Sequence, residues 1–204
     1  MRIGILGGTF NPPHLGHLVC AQEAYLQLEL DRVMLMPAWI PPHKPVEDEP
    51  GALHRLELCR LAFAGDEQRF EVSDLEMRRG GTSSFTVDTL EELHSRAPDS
   101  ELYLIVGADI AAGLPKWREP ERVLSLAALA VAERPGTERA AVERALAGLR
   151  GSERALFFDM PEIGLSSTML RNRVRAGLPI KYLTPDAVVA YVDRNNLYTG
   201  DLAE

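Results

Sequence analysis

The sequence predicts an open, doubly wound α/β sheet, with parallel strands and helices on both faces. Three observations point there. Short apolar runs without polar alternation recur at Ile3–Leu6, Arg32–Pro37 and Glu101–Val106, the pattern of strands buried on both faces. Helical periodicity lies between them, as in Leu18, Ala21, Tyr25 and Leu28. The first strand runs straight into Gly-Gly-Thr-Phe-Asn-Pro-Pro-His-Leu-Gly-His at 7 to 17, a glycine turn followed by a helix start. Such sheets bind ligands outside the carboxyl ends of their strands, where strand order reverses.

Taken in order, a strand at 3–6, a helix from 15 to about 30 and a strand at 32–37 make one βαβ unit. Five prolines between 37 and 50 mark a loop. Residues 52–64 return to helix, with Leu56, Cys59 and Phe63 on one face. A strand is expected at 69–75, a helix from 82–84 to 95, and a strand at 101–106 ending in Gly107-Ala108-Asp109. Another strand at 126–132 has room for a short helix before it. A polar, alanine-rich helix follows at 137–149, then a strand at 155–158, a helix at 166–175 and a last helix capped by Thr184-Pro185. Residues 1–198 read as one domain that includes the C-terminal helices, and 199–204 as a loose tail.

Composition excludes several classes. The 204 residues are 46% hydrophobic and 25% charged, ordinary for a globular domain with a real core. No apolar run approaches the roughly 20 residues of a membrane helix. No basic leader precedes the first strand, so no signal peptide is expected. Cys20 and Cys59 are the only cysteines and form no Cys-x-x-Cys; the cytoplasm fits. A net charge of −8 argues against nucleic acid or an anionic membrane as partner. Yet residues 1–22 and 163–185 contain no Asp or Glu, and the second stretch carries Arg171, Arg173, Arg175 and Lys181. Keeping carboxylates out of two helix starts suits a phosphate site; chance clustering is the alternative.

The first motif reads as an anion site. Gly7 and Gly8 allow a sharp turn and a close ligand. A helix N-terminus offers free N–H groups and a positive dipole end, and His14 and His17 add imidazole donors. They could instead be ordinary helix-start histidines, or metal ligands with Cys20 one step on. Three residues per step drift ~60° around a helix, which turns Cys20 toward the core, and no metal site is expected. Neither Gly-x-Gly-x-x-Gly nor Gly-Lys-Ser/Thr occurs. The second motif is Ser166-Ser167-Thr168-Met169-Leu170-Arg171. Capping accounts for one hydroxyl; three with an Arg one turn later suit a polyphosphate.

Together these stretches resemble the nucleotidylyltransferase superfamily, with its His-x-Gly-His signature, and in their longer form the bacterial nicotinate-nucleotide adenylyltransferases. The resemblance runs from residue 3 to about 198 and implies a Rossmann-like sheet. It implies that His17, with His14 beside it, stabilises the α-phosphate of ATP as it is attacked, and that Arg171 completes the catalytic set on the polyphosphate. It extends ATP binding to Gly7, Gly8, Thr9, Phe10, Gly107, Asp109, Ser166, Ser167 and Thr168. Leu165 and Leu170 replace isoleucines of the family pattern, a change in packing rather than charge. Asp109 matches a ribose-binding carboxylate, with capping of the next helix as rival. Lys44, in a chain with 19 Arg but three Lys, matches a loop over the substrates and could equally be solvated. Ser84-Phe85-Thr86 and Leu114-Pro115-Lys116-Trp117 match a pyridine pocket, where Thr86 would hold the nicotinate carboxylate and Trp117 would stack on the ring or simply pack. Arg134 matches a residue facing the mononucleotide. Lys116 and Arg118 receive no role.

The activity implied is transfer of AMP from ATP to nicotinate mononucleotide, giving deamido-NAD and pyrophosphate in NAD biosynthesis. The substrate's own phosphate is a nucleophile, and no covalent nucleophile with a base and an orienter is evident. Direct in-line attack is then the simplest mechanism. Mg²⁺ should arrive on ATP with few protein ligands. Rivals are adenylyltransferases of the same fold acting on phosphopantetheine or nicotinamide mononucleotide, and a nucleotide-binding regulatory module without turnover. A homo-oligomer is compatible with the sequence, which selects no state.

Overall fold

An apolar run without polar alternation belongs in the middle of a sheet, and β1 (Arg2–Gly8), with Ile3–Leu6 buried, lies there in the computed structural model, which describes residues 1–41, 50–80, 83–133 and 139–200. β1 pairs in parallel with β2 (Arg32–Pro37) on one side and β4 (Glu101–Gly107) on the other. β3 (Phe70–Val72) extends the sheet beyond β2, and β5 (Ala127–Glu133) and β6 (Leu156–Asp159) extend it beyond β4. The order is β3-β2-β1-β4-β5-β6, all parallel. Strand order reverses between β1 and β4, so the carboxyl ends of these two strands frame the expected ligand crevice.

Side-chain alternation explains the apolar runs. Leu6, Tyr103 and Ile105 face one core, with α1 (Leu15–Gln27), α2 (Ala52–Ala62), α8 (Ser167–Arg175) and α9 (Asp186–Arg194). Ile3, Ile5, Leu102, Leu104 and Val106 face the other. That side is covered by α3 (Leu75–Arg79), α4 (Thr86–Arg96), α5 (Ala108–Ala112), α6 (Pro120–Leu126) and α7 (Arg139–Leu146). Gly4 makes the first packing possible: a Cβ there would stand 2.7 Å from Leu30 Cδ1 and 2.8 Å from Ile105 Cδ1. Cutting a fully buried side chain such as Leu35 to Ala would cost about 2–5 kcal/mol.

Several boundaries differ from the sequence reading. The strand expected at 69–75 stops at Val72. Ser73 Oγ accepts the Leu75 N–H, and Asp74 pairs with Arg78 at 2.8 Å, so the chain turns into α3 instead. α4 starts at Thr86, later than expected. α5 and a 3₁₀ turn at Leu114–Lys116 follow β4 directly; at five and three residues they are too short to carry a readable period. α6 fills the space foreseen before β5. Among the described residues no helix is long and apolar enough to cross a membrane.

Candidate active site

The segment after β1 crosses the switch point, with a cis Asn11–Pro12 bond. The sharp turn expected at Gly7-Gly8 is not there. Neither glycine has a left-handed φ; the left-handed residue is Phe10, at φ 49°. A Cβ on Gly7 would meet nothing within 4 Å, so glycine here leaves open space. Gly8 lies over the Phe10 ring, 3.2 Å from where its Cβ would be. Phe10 is buried and its ring centroid is 5.0 Å from that of His17. Its side chain therefore supports the motif from below.

The carbonyls of this loop are held by donors from distant parts of the chain. Gly8 O accepts from Ala38 N at 2.9 Å and Thr9 O from Arg55 Nη1 at 3.0 Å. Asn11 O accepts from Arg171 Nη1 at 2.9 Å, Pro12 O from Ser167 Oγ at 2.8 Å and Pro13 O from Thr184 Oγ1 at 2.8 Å. Each bond satisfies a backbone acceptor of the loop and fixes the loop's course. Tyr198 OH adds a bond to Asn11 Oδ1 at 2.7 Å.

His14 is the N-cap of α1, one residue before the helix, and it forms a reciprocal capping box with His17. Its Nδ1 accepts from Gly16 N, and the His17 Nδ1 accepts from His14 N, both at 3.2 Å. With each Nδ1 an acceptor, the neutral rings carry their proton on Nε2. The ring centroids are 3.9 Å apart. The free N–H groups expected at the start of α1 are used internally: Leu15 N bonds Leu183 O, Gly16 N bonds His14 and His17 N bonds His14 O. The imidazoles, and the dipole behind them, are what this helix end can offer to an anion.

At α8, Ser166 is the N-cap and accepts from Met169 N at 3.1 Å. Ser167 is bound to Pro12, so its hydroxyl fixes the loop. Thr168 Oγ1 accepts from Arg171 Nη2 at 3.4 Å, and Arg171 Nε is buried without a partner. Helix geometry leaves the Ser167 and Thr168 N–H groups without an intrahelical acceptor.

Beside the loop lies a cavity of about 240 Å³, lined among others by Gly7, Gly8, Thr9, Thr86 and Trp117. Trp117 both packs against the α4–α7 core and faces this cavity. Arg118 and Glu76 also line it. Arg118 stacks over Phe85, 4.9 Å from the ring centre, and pairs with Asp88 at 3.4 Å. Asp109 is exposed and is the second residue of α5, whose N-cap is Gly107. Capping is thus not its role. Its Oδ1 lies 2.7 Å from where a Gly107 Cβ would be, so the carboxylate sits directly against the glycine. Cys20 packs partly buried against the core. Lys44 and Arg134 lie outside the described residues, as do His43 and residues 201–204 of the tail. Among the described residues no group of three or more His, Cys, Asp or Glu could hold a metal.

Sequence reasoning missed Arg55, Tyr198 and the lining residue Glu76, and read Thr184 only as a helix cap; Ser84, expected in the pocket, does line the cavity. Arg55 had left a signal: it shares a helix face with Cys59 and Ala62, both buried, where a charge is unexpected.

The cytidylyltransferase-like family model matches residues 5–173. A probable nicotinate-nucleotide adenylyltransferase of Roseiflexus sp. (strain RS-1) is 48% identical over 199 residues, 96% of this chain and 97% of that protein. The nicotinate-nucleotide adenylyltransferase of Bacillus subtilis (strain 168) is 42% identical over 197 residues, 97% of this chain and 98% of its own. In fold, the chain is similar to Plasmodium falciparum nicotinic acid mononucleotide adenylyltransferase complexed with NaAD, with a TM-score of 0.75 at 18% identity over 98% of each chain.

Proposed function

Since the chain belongs to the cytidylyltransferase-like family and, within it, to the nicotinate-nucleotide adenylyltransferases, we propose a reaction and a role for each of its site residues. The enzyme transfers the adenylyl group of ATP to nicotinate mononucleotide, giving deamido-NAD and pyrophosphate. The observation that carries the residue roles is the capping box of His14 and His17, which fixes both rings with Nε2–H as donor. Two neutral, oriented donors at a helix N-terminus suit an α-phosphate whose charge is being redistributed.

The phosphate of nicotinate mononucleotide attacks the α-phosphorus in line, and the P–O bond to pyrophosphate breaks. His17 Nε2–H, with His14 beside it, stabilises the oxygens of the transferring group. Arg171 and the Ser167 and Thr168 N–H groups hold the departing β and γ phosphates. Gly7 and Gly8 give the nucleotide room, and the loop at Thr9 and Phe10 carries it. Asp109, exposed beyond Gly107, accepts from the ribose hydroxyls. Thr86 and Trp117 hold the nicotinate ring in the cavity, and Lys44 and Arg134 contribute to the mononucleotide side. Mg²⁺ comes with ATP, held by its phosphates and water. Residues 1–198 act as one unit, a reading supported by the bonds from Leu183, Thr184 and Tyr198 to the segment at 11–15.

The test is product formation from ATP chirally labelled with sulfur at the α-phosphorus. Equal amounts of dinucleotide and pyrophosphate, with inversion at phosphorus, are expected. Retention would replace direct transfer by a covalent intermediate, and absence of dinucleotide would remove the reaction.

A further inference from the structure

We propose that Arg55 is a positioning residue that sets the distance between the adenylyl-donor site and the mononucleotide pocket; the proposal rests on the reaction given above. Arg55 is completely buried on α2, under the ends of β1 and β2. Its Nη1 donates to Thr9 O at 3.0 Å and its Nη2 to Trp39 O at 2.9 Å. One planar fork thus ties the phosphate turn after β1 to the segment after β2.

The connection continues. Trp39 N donates to Ser84 Oγ at 2.8 Å, with a longer approach to Glu76 Oε2 at 3.3 Å. Ser84 N donates to Ile40 O at 2.9 Å. Thr89 Oγ1 donates to Glu76 Oε1 at 2.7 Å and accepts from Arg79 Nη2 at 2.8 Å. A run of hydrogen bonds therefore leads from Thr9 through Arg55 to Trp39 and branches there, one arm to Ser84, two residues before α4, and the other through Glu76 to Thr89 in the first turns of α4. Thr9, Glu76, Ser84 and Thr86 all line the same cavity. One end of the run carries the phosphate turn and the other carries the ring pocket.

The chemistry explains why such a tie matters. Two bound anions must be brought within about 3–3.5 Å of each other, and a misplacement of about 1 Å can cost roughly 10²-fold in rate. An apolar side chain of similar volume would fill position 55 without the desolvation cost of a guanidinium. What it could not do is bridge two carbonyls. Lysine keeps the charge but lacks the fork.

The experiment compares wild type, Arg55→Lys and Ser84→Ala. It measures separate dissociation constants for Mg-ATP and for nicotinate mononucleotide, kcat at saturation with active-site titration, and the melting temperature. For Arg55→Lys the expected result is a kcat about 10- to 100-fold lower, with both binary dissociation constants within about threefold of wild type. Ser84→Ala, which weakens the same run at a smaller site, should lower kcat about fivefold with the same binding. Weakened binding with wild-type kcat per active site would make Arg55 merely structural and overturn the proposal. So would wild-type kcat in a folded Arg55→Lys. If Arg55→Lys does not fold, Ser84→Ala decides: unchanged kcat overturns the proposal. An inactive wild type would remove the reaction and the positioning role together, whereas an active wild type with unaffected variants removes only the second.

Discussion

Replacing His17 by alanine separates chemistry from structure, because both of its contributions can be worked out from the geometry. On the chemical side the variant loses one oriented Nε2–H. Removing one donor of this kind costs about 10²–10³ in kcat, or about 2.7–4 kcal/mol. On the structural side it loses the acceptor of the His14 N–H and a ring packed 5.0 Å from Phe10 and 3.9 Å from His14. An unsatisfied, part-buried N–H costs about 1–3 kcal/mol. In a chain of this size each kcal/mol lowers the melting temperature by about 2–4 °C. The variant should melt roughly 2–12 °C lower and stay folded at assay temperature, since native stability is about 5–15 kcal/mol. The assay is continuous pyrophosphate release at saturating ATP and nicotinate mononucleotide, with a circular-dichroism melt alongside. Turnover within tenfold of wild type in a folded variant would refute the role given to His17.

Thr184→Val removes the hydroxyl that holds Pro13 O; it should cost about 1–3 kcal/mol of stability, read from a denaturant midpoint. Burial pushes the Cys59 thiol well above its ordinary range, with Arg55 partly opposing. A thiol reagent at pH 8 should therefore label partly buried Cys20 first and Cys59 only on unfolding, followed by mass spectrometry. Burial, and then the bond to Glu101, raise the Tyr103 phenol above its usual value, against the opposing bond from Arg2. An acid with a raised folded-state pKa contributes stability that is full below its unfolded value near 10 and is lost as pH rises through the folded value. Ultraviolet titration should find a late phenol that disappears in Tyr103→Phe, and alkaline unfolding should be less steep in that variant.

The fold was legible where residues are buried on both faces. Ile3–Leu6 and Leu102–Val106 have no polar alternation because each run lies between two cores. What was not legible is short or long-range. α3 and α5 span five residues each, less than two turns. The site was legible as a set of residue types but not as a division of labour. Three hydroxyls at 166–168 looked alike in sequence; in space Ser166 caps, Ser167 holds Pro12 and Thr168 meets Arg171. Thr184 and Tyr198 reach Pro13 and Asn11 across more than 170 residues, a contact no local pattern encodes. A glycine pair suggests a turn at Gly7-Gly8, but the strand continues through both, and the left-handed residue is Phe10.

The most direct test of the central claim is pyrophosphate release with Mg-ATP and, in parallel, nicotinate mononucleotide, nicotinamide mononucleotide and phosphopantetheine. The account predicts turnover with the nicotinate compound and a strong preference for it over the other two. Preference for the amide or for phosphopantetheine would contradict the substrate, and ATP binding without release from any of the three would contradict the enzyme.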